Sequence, residues 1–192
     1  MPGLNDSLVQ KLRENNLKYF FPVQRQVIPH LLHRNPFYRP ADLCVSAPTG
    51  SGKTLAFVLP LVQLLSKRIV PRVRALVLLP VQDLAAQVFK VFQAYAGNHL
   101  RVKLISGQKS FAQEQMELVV ACESGFHSLA DIIVATPGRL VDHIQVCNFG
   151  LFVSFQNRRD FCEWAQPMRH TVLVTVNLPY HDYSERCHIC TI

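Results

Sequence analysis

Apolar positions along the chain change period several times, and each change marks an element. Leu4, Leu8 and Leu12 recur at helical spacing, with Asn5 or Asp6 placed to cap the helix they predict. Pro22 opens a second helix carrying Val23, Val27, Ile28, Leu31 and Leu32 on one side. Asp42 to Ser46 reads as a short strand that runs into Ala47-Pro48-Thr49-Gly50-Ser51-Gly52-Lys53-Thr54. A broadly apolar helix follows, from Lys53 to about Ser66. Arg74 to Leu79 is an apolar run closed by Pro80, the pattern of a strand buried on both faces. Val81, Leu84, Ala85, Val88, Phe92 and Tyr95 outline an amphipathic helix ending at Gly97. A strand over Arg101–Ile105, a helix over Gln108–Cys122, a strand over Asp131–Val134 and a helix opened by Pro137 complete the alternation. Strands alternating with helices predict an α/β fold built on a parallel sheet.

The composition supports one folded domain. The chain has 192 residues, 49% of them hydrophobic, which is enough for a core and speaks against general disorder. The longest apolar stretch is interrupted by Pro60, Gln63, Ser66, Lys67 and Arg68, so no membrane association is expected. Met1 to Asp6 has neither the basic nor the apolar region of a signal peptide. The six cysteines are then expected to be free thiols in a reducing compartment. The net charge of +7 suits an anionic partner. That excess is confined to residues 1–145, with 16 Lys and Arg against 9 Asp and Glu; residues 146–192 carry four of each. Four of the cysteines and the single Trp also fall in this last part, so the chain divides near residue 145.

The chemistry is concentrated between residues 47 and 54. A strand, a glycine-rich loop and a Lys-Thr pair opening a helix form a phosphate-binding loop. Gly50 and Gly52 permit the tight turn that aims successive N–H groups at phosphate oxygens, and the helix N-terminus adds its positive end. Lys53 provides a mobile charge for the β- and γ-phosphates, and the Thr54 hydroxyl a ligand for Mg²⁺. Ala47 stands where the generic motif has its first glycine.

Ala47 to Thr54 resembles motif I of the DEAD-box ATP-dependent RNA helicases. Three further segments match in order: Phe21-Pro22-Val23-Gln24, similar to the Q motif; Pro80-Val81-Gln82-Asp83-Leu84-Ala85, similar to Pro-Thr-Arg-Glu-Leu-Ala; and Thr136-Pro137-Gly138-Arg139, a full match to Thr-Pro-Gly-Arg. Ser106-Gly107-Gln108 is a weaker match to the Gly-Gly element. The resemblance covers about residues 16–145 and is greatest to the nucleolar helicases of large-subunit ribosome biogenesis. It implies an N-terminal RecA-like domain in the nucleus and nucleolus. It also implies ATP held with Mg²⁺ by Ala47, Thr49, Gly50, Ser51, Gly52, Lys53 and Thr54, with Gln24 reading adenine. For RNA it points to Pro80, Gly107, Thr136, Gly138 and Arg139. That set can hold a sugar-phosphate backbone without reading bases; Thr-Pro-Gly-Arg is equally a plain strand-to-helix turn with Pro at N1. Gln82 replaces a basic residue of the pattern, and Asn16-Leu17 stands where many members have Gly-Phe. The isolated aromatic of the family lies further upstream of Gln24 than these residues reach, so weaker adenine stacking is expected.

The family pattern also requires an acidic pair, Asp-Glu-Ala-Asp, about twenty residues after Thr-Pro-Gly-Arg. Phe155 to Trp164 has no apolar strand leading into such a pair. Asp160 and Glu163 follow two arginines and read as a solvated turn, and Asp182, after the strand-like Thr171–Val176, lacks a following Glu. A second RecA-like domain is not expected within these residues either. The expected domains are therefore 1–145, a partial ATP-binding domain with an incomplete sheet, and 146–192, a divergent tail. The codons for Gln145-Val146-Cys147 can hold a splice donor, so a retained intron or a frameshift ending after Ile192 is the expected origin of the tail. Nucleotide and RNA binding without hydrolysis is then expected, making the chain a non-catalytic decoy module or an unstable product. Phe149–Phe155 or Thr171–Val176 are the segments able to patch the sheet. Cys187-His188-Ile189-Cys190 offers half a zinc site at most.

Overall fold

The computed structural model describes residues 3–33, 43–70, 72–122, 125–146, 172–180 and 183–191. Six helices and eight strands are present among them: α1 (Asp6–Glu14), α2 (Pro22–Leu32), β1 (Leu43–Val45), α3 (Lys53–Ser66), β2 (Ala75–Leu78), α4 (Gln82–Ala96), β3 (Val102–Ile105), α5 (Phe111–Leu118), β4 (Val119–Cys122), β5 (Gly125–Ser128), β6 (Ile132–Ala135), α6 (Pro137–Val146), β7 (Val172–Tyr180) and β8 (Tyr183–Thr191). The main sheet has the order β1-β8-β7-β2-β6-β3.

The parallel core follows the sequence closely. β2, β6 and β3 pair in parallel, with Ala75 opposite Ile132 and Val102 opposite Ile132. All four residues of β2 and of β6 are buried, as their uninterrupted apolar runs require of strands covered on both faces. Alternate side chains go to different layers. Ala75, Val77, Ile132 and Val134 join Val45 and Val174 in a core closed by α1, α2, α3 and α4. Leu76, Leu78, Ile133 and Ala135 meet Leu118 of α5 and Leu140 and Ile144 of α6 on the other side. Asn5 caps α1 by accepting from Leu8 N at 3.1 Å, and Ser110 caps α5 by accepting from Gln113 N at 3.4 Å.

The structure differs from the sequence reading in two elements. The helix expected over Gln108–Cys122 ends at Leu118, where Val119 turns extended (φ −142°, ψ 143°). The β-branched pair Val119-Val120 starts β4, which pairs antiparallel with β5 as a separate two-stranded sheet. The main sheet is also mixed rather than wholly parallel. β7 runs antiparallel to β2, with Leu78 opposite Leu173, and forms a hairpin with β8, which lies parallel to β1. Of the two segments able to patch the sheet, Thr171–Val176 lies largely in β7, and Val174 is fully buried. Phe149–Phe155 lies outside the described residues.

A buried carboxylate ties the far end of the sheet. Asp131, just before β6, is 0% exposed and sits 2.6 Å from Arg68 Nη2 and 3.4 Å from Arg101 Nε, and it accepts from Arg101 N at 2.8 Å. Burial pushes its carboxyl up, but the donors from Arg68 and Arg101 outweigh this and leave it below the usual range. Among the described residues no helix is long and apolar enough to cross a membrane.

Candidate nucleotide and RNA site

Strand direction brings the motifs to one edge. β2, β6 and β3 are parallel to one another, and β1 shares their direction through the β8–β7 hairpin. The segments after β1, β2, β3 and β6 therefore leave from the same carboxyl-terminal edge, where α/β sheets hold their ligands. These are the loop 46–52, Pro80, Gly107 and Thr136–Arg139.

The loop before α3 has the shape that an anion requires. Gly50 and Gly52 are left-handed, with φ of 81° and 82°, and Ser51 N donates to Pro48 O at 3.2 Å. Gly52 is the N-cap of α3, so no side chain caps this helix, and its first turn holds no acidic residue. Its first N–H groups thus face the loop with no carboxylate competing for them. Lys53 Nζ folds back onto Ala47 O, and Thr54 follows it in the first turn. Thr49 is exposed, while Ala47, Ser51 and Thr54 are half-buried, and the buried Ser51 hydroxyl has no partner among the described residues.

Gln24 locks α2 to this loop. It is buried, it accepts from Phe21 N at 3.0 Å, and it donates through Nε2 to Gly52 O at 3.1 Å. A Cβ at Gly52 would strike the Gln24 amide and lie 2.9 Å from Phe21 Cδ2. The two motifs are thus in direct contact across 28 residues of sequence.

The second cluster is organised by residues that the sequence reading did not single out. Gly107 is left-handed (φ 81°), and a Cβ there would meet Gln82 Nε2 at 3.6 Å and Arg139 Cδ at 3.9 Å. The loops carrying Gln82, Gly107 and Arg139 therefore converge. Pro80, which ends β2, and Thr136, whose N–H donates to Ile105 O at 3.0 Å, border the same edge, and Gly138 has open space around it. Glu114 of α5 lies beneath them and is 2% exposed. Its Oε1 accepts from Gly107 N at 2.9 Å; its Oε2 accepts from Arg139 Nε at 2.7 Å and lies 2.9 Å from His143 Nε2. Burial pushes the Glu114 carboxyl up, but donors from His143, Arg139 and Gly107 more than reverse this and hold it below its ordinary value. The Phe111 ring stacks on His143 at 4.2 Å and carries the Arg139 guanidinium at 5.2 Å. The sequence-level signal for Glu114 was slight: an acid in the first turn of a capped helix, with partners up to 29 residues away.

Comparison with known proteins places this architecture. Residues 21–162 match the model of the DEAD/DEAH box helicase family, and the chain belongs to that family. It is 56% identical over 153 residues to the ATP-dependent RNA helicase DDX51 of Danio rerio, covering 75% of this chain and 24% of that protein. It is 54% identical over 153 residues to DDX51 of Homo sapiens (75% and 23%), and 44% identical over 150 residues to the ATP-dependent RNA helicase dbp6 of Schizosaccharomyces pombe (74% and 24%). The chain thus spans about a quarter of the length of the curated relatives it matches. Among solved structures, the RNA-helicase Prp28 from Chaetomium thermophilum bound to ADP superposes with a TM-score of 0.63 at 26% identity, over 99% of this chain and 49% of that one. The yeast DEAD-box splicing factor Prp28 gives 0.61 at 29% identity, over 76% and 34%. The fold is that of a DEAD-box RecA-like domain.

Proposed function

We propose that this chain binds Mg-ATP and a single RNA backbone without turning ATP over. The observation that carries the nucleotide reading is the loop 46–52. Its two left-handed glycines, the uncapped N-terminus of α3 and the buried Gln24 bridge make a preformed phosphate cradle beside an amide that can read a base edge. Lys53 would meet the β- and γ-phosphates, and Ala47, Thr49, Ser51 and the glycine amides would line the loop. Thr54 would supply a hydroxyl to Mg²⁺, whose role is to neutralise phosphate charge. Pro80, Gly107, Thr136, Gly138 and Arg139 would hold the RNA backbone.

The proposed lack of hydrolysis has support in the register of the hairpin. Beside the end of β1, the neighbouring strand presents Cys190 opposite Cys44 and Thr191 opposite Val45. Glu185 is opposite Leu178, toward the other edge of the sheet. Asp160, Glu163 and Asp182 lie outside the described residues. A decoy that occupies nucleotide and RNA without turnover is the role this arrangement favours, with the nucleolus as its proposed compartment. The division at residue 145, with a tail from a retained intron or frameshift, is supported by the change in charge and cysteine content there. An in-frame exon for 146–192 with conventional splice sites at the genomic locus would exclude it.

A thermal melt of the whole chain with and without Mg-ATP tests the central reading. Millimolar Mg-ATP is expected to raise the melting temperature of the unsubstituted chain and not of Lys53→Ala, because a ligand bound only by the folded state stabilises it. A melting temperature of the unsubstituted chain unmoved by Mg-ATP would refute nucleotide binding, and an equal shift in Lys53→Ala would refute the role of Lys53. Phosphate release above background, abolished by Lys53→Ala, would refute the non-catalytic reading.

A further inference from the structure

We infer that Glu114 is the positioning residue of the RNA-binding face and acts through Arg139. The inference rests on the RNA reading above and extends it to a residue outside the family's motif segments noted above.

Glu114 uses both oxygens inside the protein. One holds the amide of Gly107, and the other holds Arg139 Nε and His143 Nε2. An ionised carboxylate only accepts, so His143 must present an N–H to it. The arginine is therefore gripped along its inner edge. Nη2 also donates to Lys109 O at 3.3 Å, and Asp142 approaches Nη1 only to 3.8 Å from a mostly exposed position. The remaining Nη hydrogens are left pointing away from Glu114. The Phe111 ring lies 5.2 Å from the guanidinium carbon and stacks on the His143 ring at 4.2 Å. Three segments are thus fixed around one buried charge: the loop after β3, α5, and the first two turns of α6.

A guanidinium held in this way has lost its rotamer freedom before a phosphate arrives, so little ordering remains to oppose binding. The same carboxylate fixes the Gly107 amide, so loop and arginine are presented together. Glu114 does not itself touch RNA, since its oxygens are buried and occupied.

The test is binding of a fluorescent single-stranded oligouridylate to the whole chain over a range of KCl. The proteins compared are the unsubstituted chain, Glu114→Gln, Arg139→Ala and the double variant. Gln can still accept from Gly107 but sets an amide N–H against Arg139 Nε. Each single change is expected to weaken binding about tenfold and to lower the salt slope by about 0.7, the loss of one phosphate contact to a single strand. The double variant is expected to bind no more weakly than Arg139→Ala. The Mg-ATP melting shift should persist in all four, which shows that the fold is intact. Multiplying single effects, an unchanged affinity in Glu114→Gln, or an unchanged affinity in Arg139→Ala would each overturn the inference while the RNA reading stands. Salt-independent or absent binding by the unsubstituted chain would overturn the RNA reading and this inference with it. Should Glu114→Gln not fold, Arg139→Lys decides: it keeps the charge but loses the forked grip. Binding as weak as Arg139→Ala supports positioning, and near-normal binding refutes it.

Discussion

Gly50 and Gly52 share a left-handed backbone but not a surrounding. An added Cβ at Gly50 meets open space, whereas at Gly52 it meets the Gln24 amide and the Phe21 ring. Gly50→Ala is expected to cost about 1 kcal/mol, the left-handed penalty alone. Gly52→Ala is expected to cost at least about 2 kcal/mol, and to lose the Mg-ATP shift as the Gln24 bridge is pushed aside. Denaturant melts of the two variants would show the difference; equal losses would mean that the bridge does not bear on the loop. Asp131 is the other residue where one change should be severe. Its carboxylate is fully buried and takes two guanidinium groups, of which Arg101 is about a third exposed. Asp131→Asn strands two arginines and is expected to lose about 3 kcal/mol, the lower end for a broken buried pair. A loss under 1 kcal/mol in chemical denaturation would show that water replaces the contact.

The β7–β8 hairpin is the element on which the main sheet depends. It is antiparallel to β2 on one side and parallel to β1 on the other, so it fills both ladders and joins the strand of the phosphate loop to the rest of the sheet. Val174 of β7 lies in the core with Val77, its register partner, and with Val45 of β1. Val174→Ala should destabilise by about 2 kcal/mol, through lost burial and the cavity left behind. A substitution without effect on the melt would show that β7 does not occupy the sheet in solution. The pairing of β7 was partly legible, because Thr171–Val176 is a strand-like run rich in β-branched residues. Its antiparallel direction was not, since direction depends on the hairpin and on which edge is free. The β4–β5 pair was missed for a related reason. Leu118 to Cys122 is an apolar run that follows the amphipathic α5 without a break, and only the extended turn at Val119 separates helix from strand.

At the scale of the whole molecule, two buried carboxylates should set the acid limit of stability. Asp131 and Glu114 are both held below their ordinary range in the folded chain, by donors that outweigh burial. Depressed folded-state values mean that their stabilisation is fully present above the unfolded carboxylate range, near pH 4 to 4.5. It is lost as pH falls through the lower folded values. Melting temperature is thus expected to drop steeply below about pH 4, with a shallower drop in Glu114→Gln, which has one such group fewer. Parallel pH profiles for the two proteins would count against Glu114 as a source.

The sequence by itself determined the strands β2, β3 and β6 as members of a parallel sheet, five of the six helices in outline, and the phosphate loop. Each of these depends on local periodicity or on the φ freedom of particular glycines, which neighbours along the chain reveal. It also brought out both motif clusters, because carboxyl ends of parallel strands fall on one edge whatever the loops contain. Only the tertiary structure decided that Gln24 bridges to Gly52, that Glu114 gathers Gly107, Arg139 and His143, and that a hairpin from the last residues lies between β1 and β2. Those contacts join segments from 7 to more than 140 residues apart. Whether a buried polar group is satisfied is a matter of distance in space, and a one-dimensional pattern does not record it.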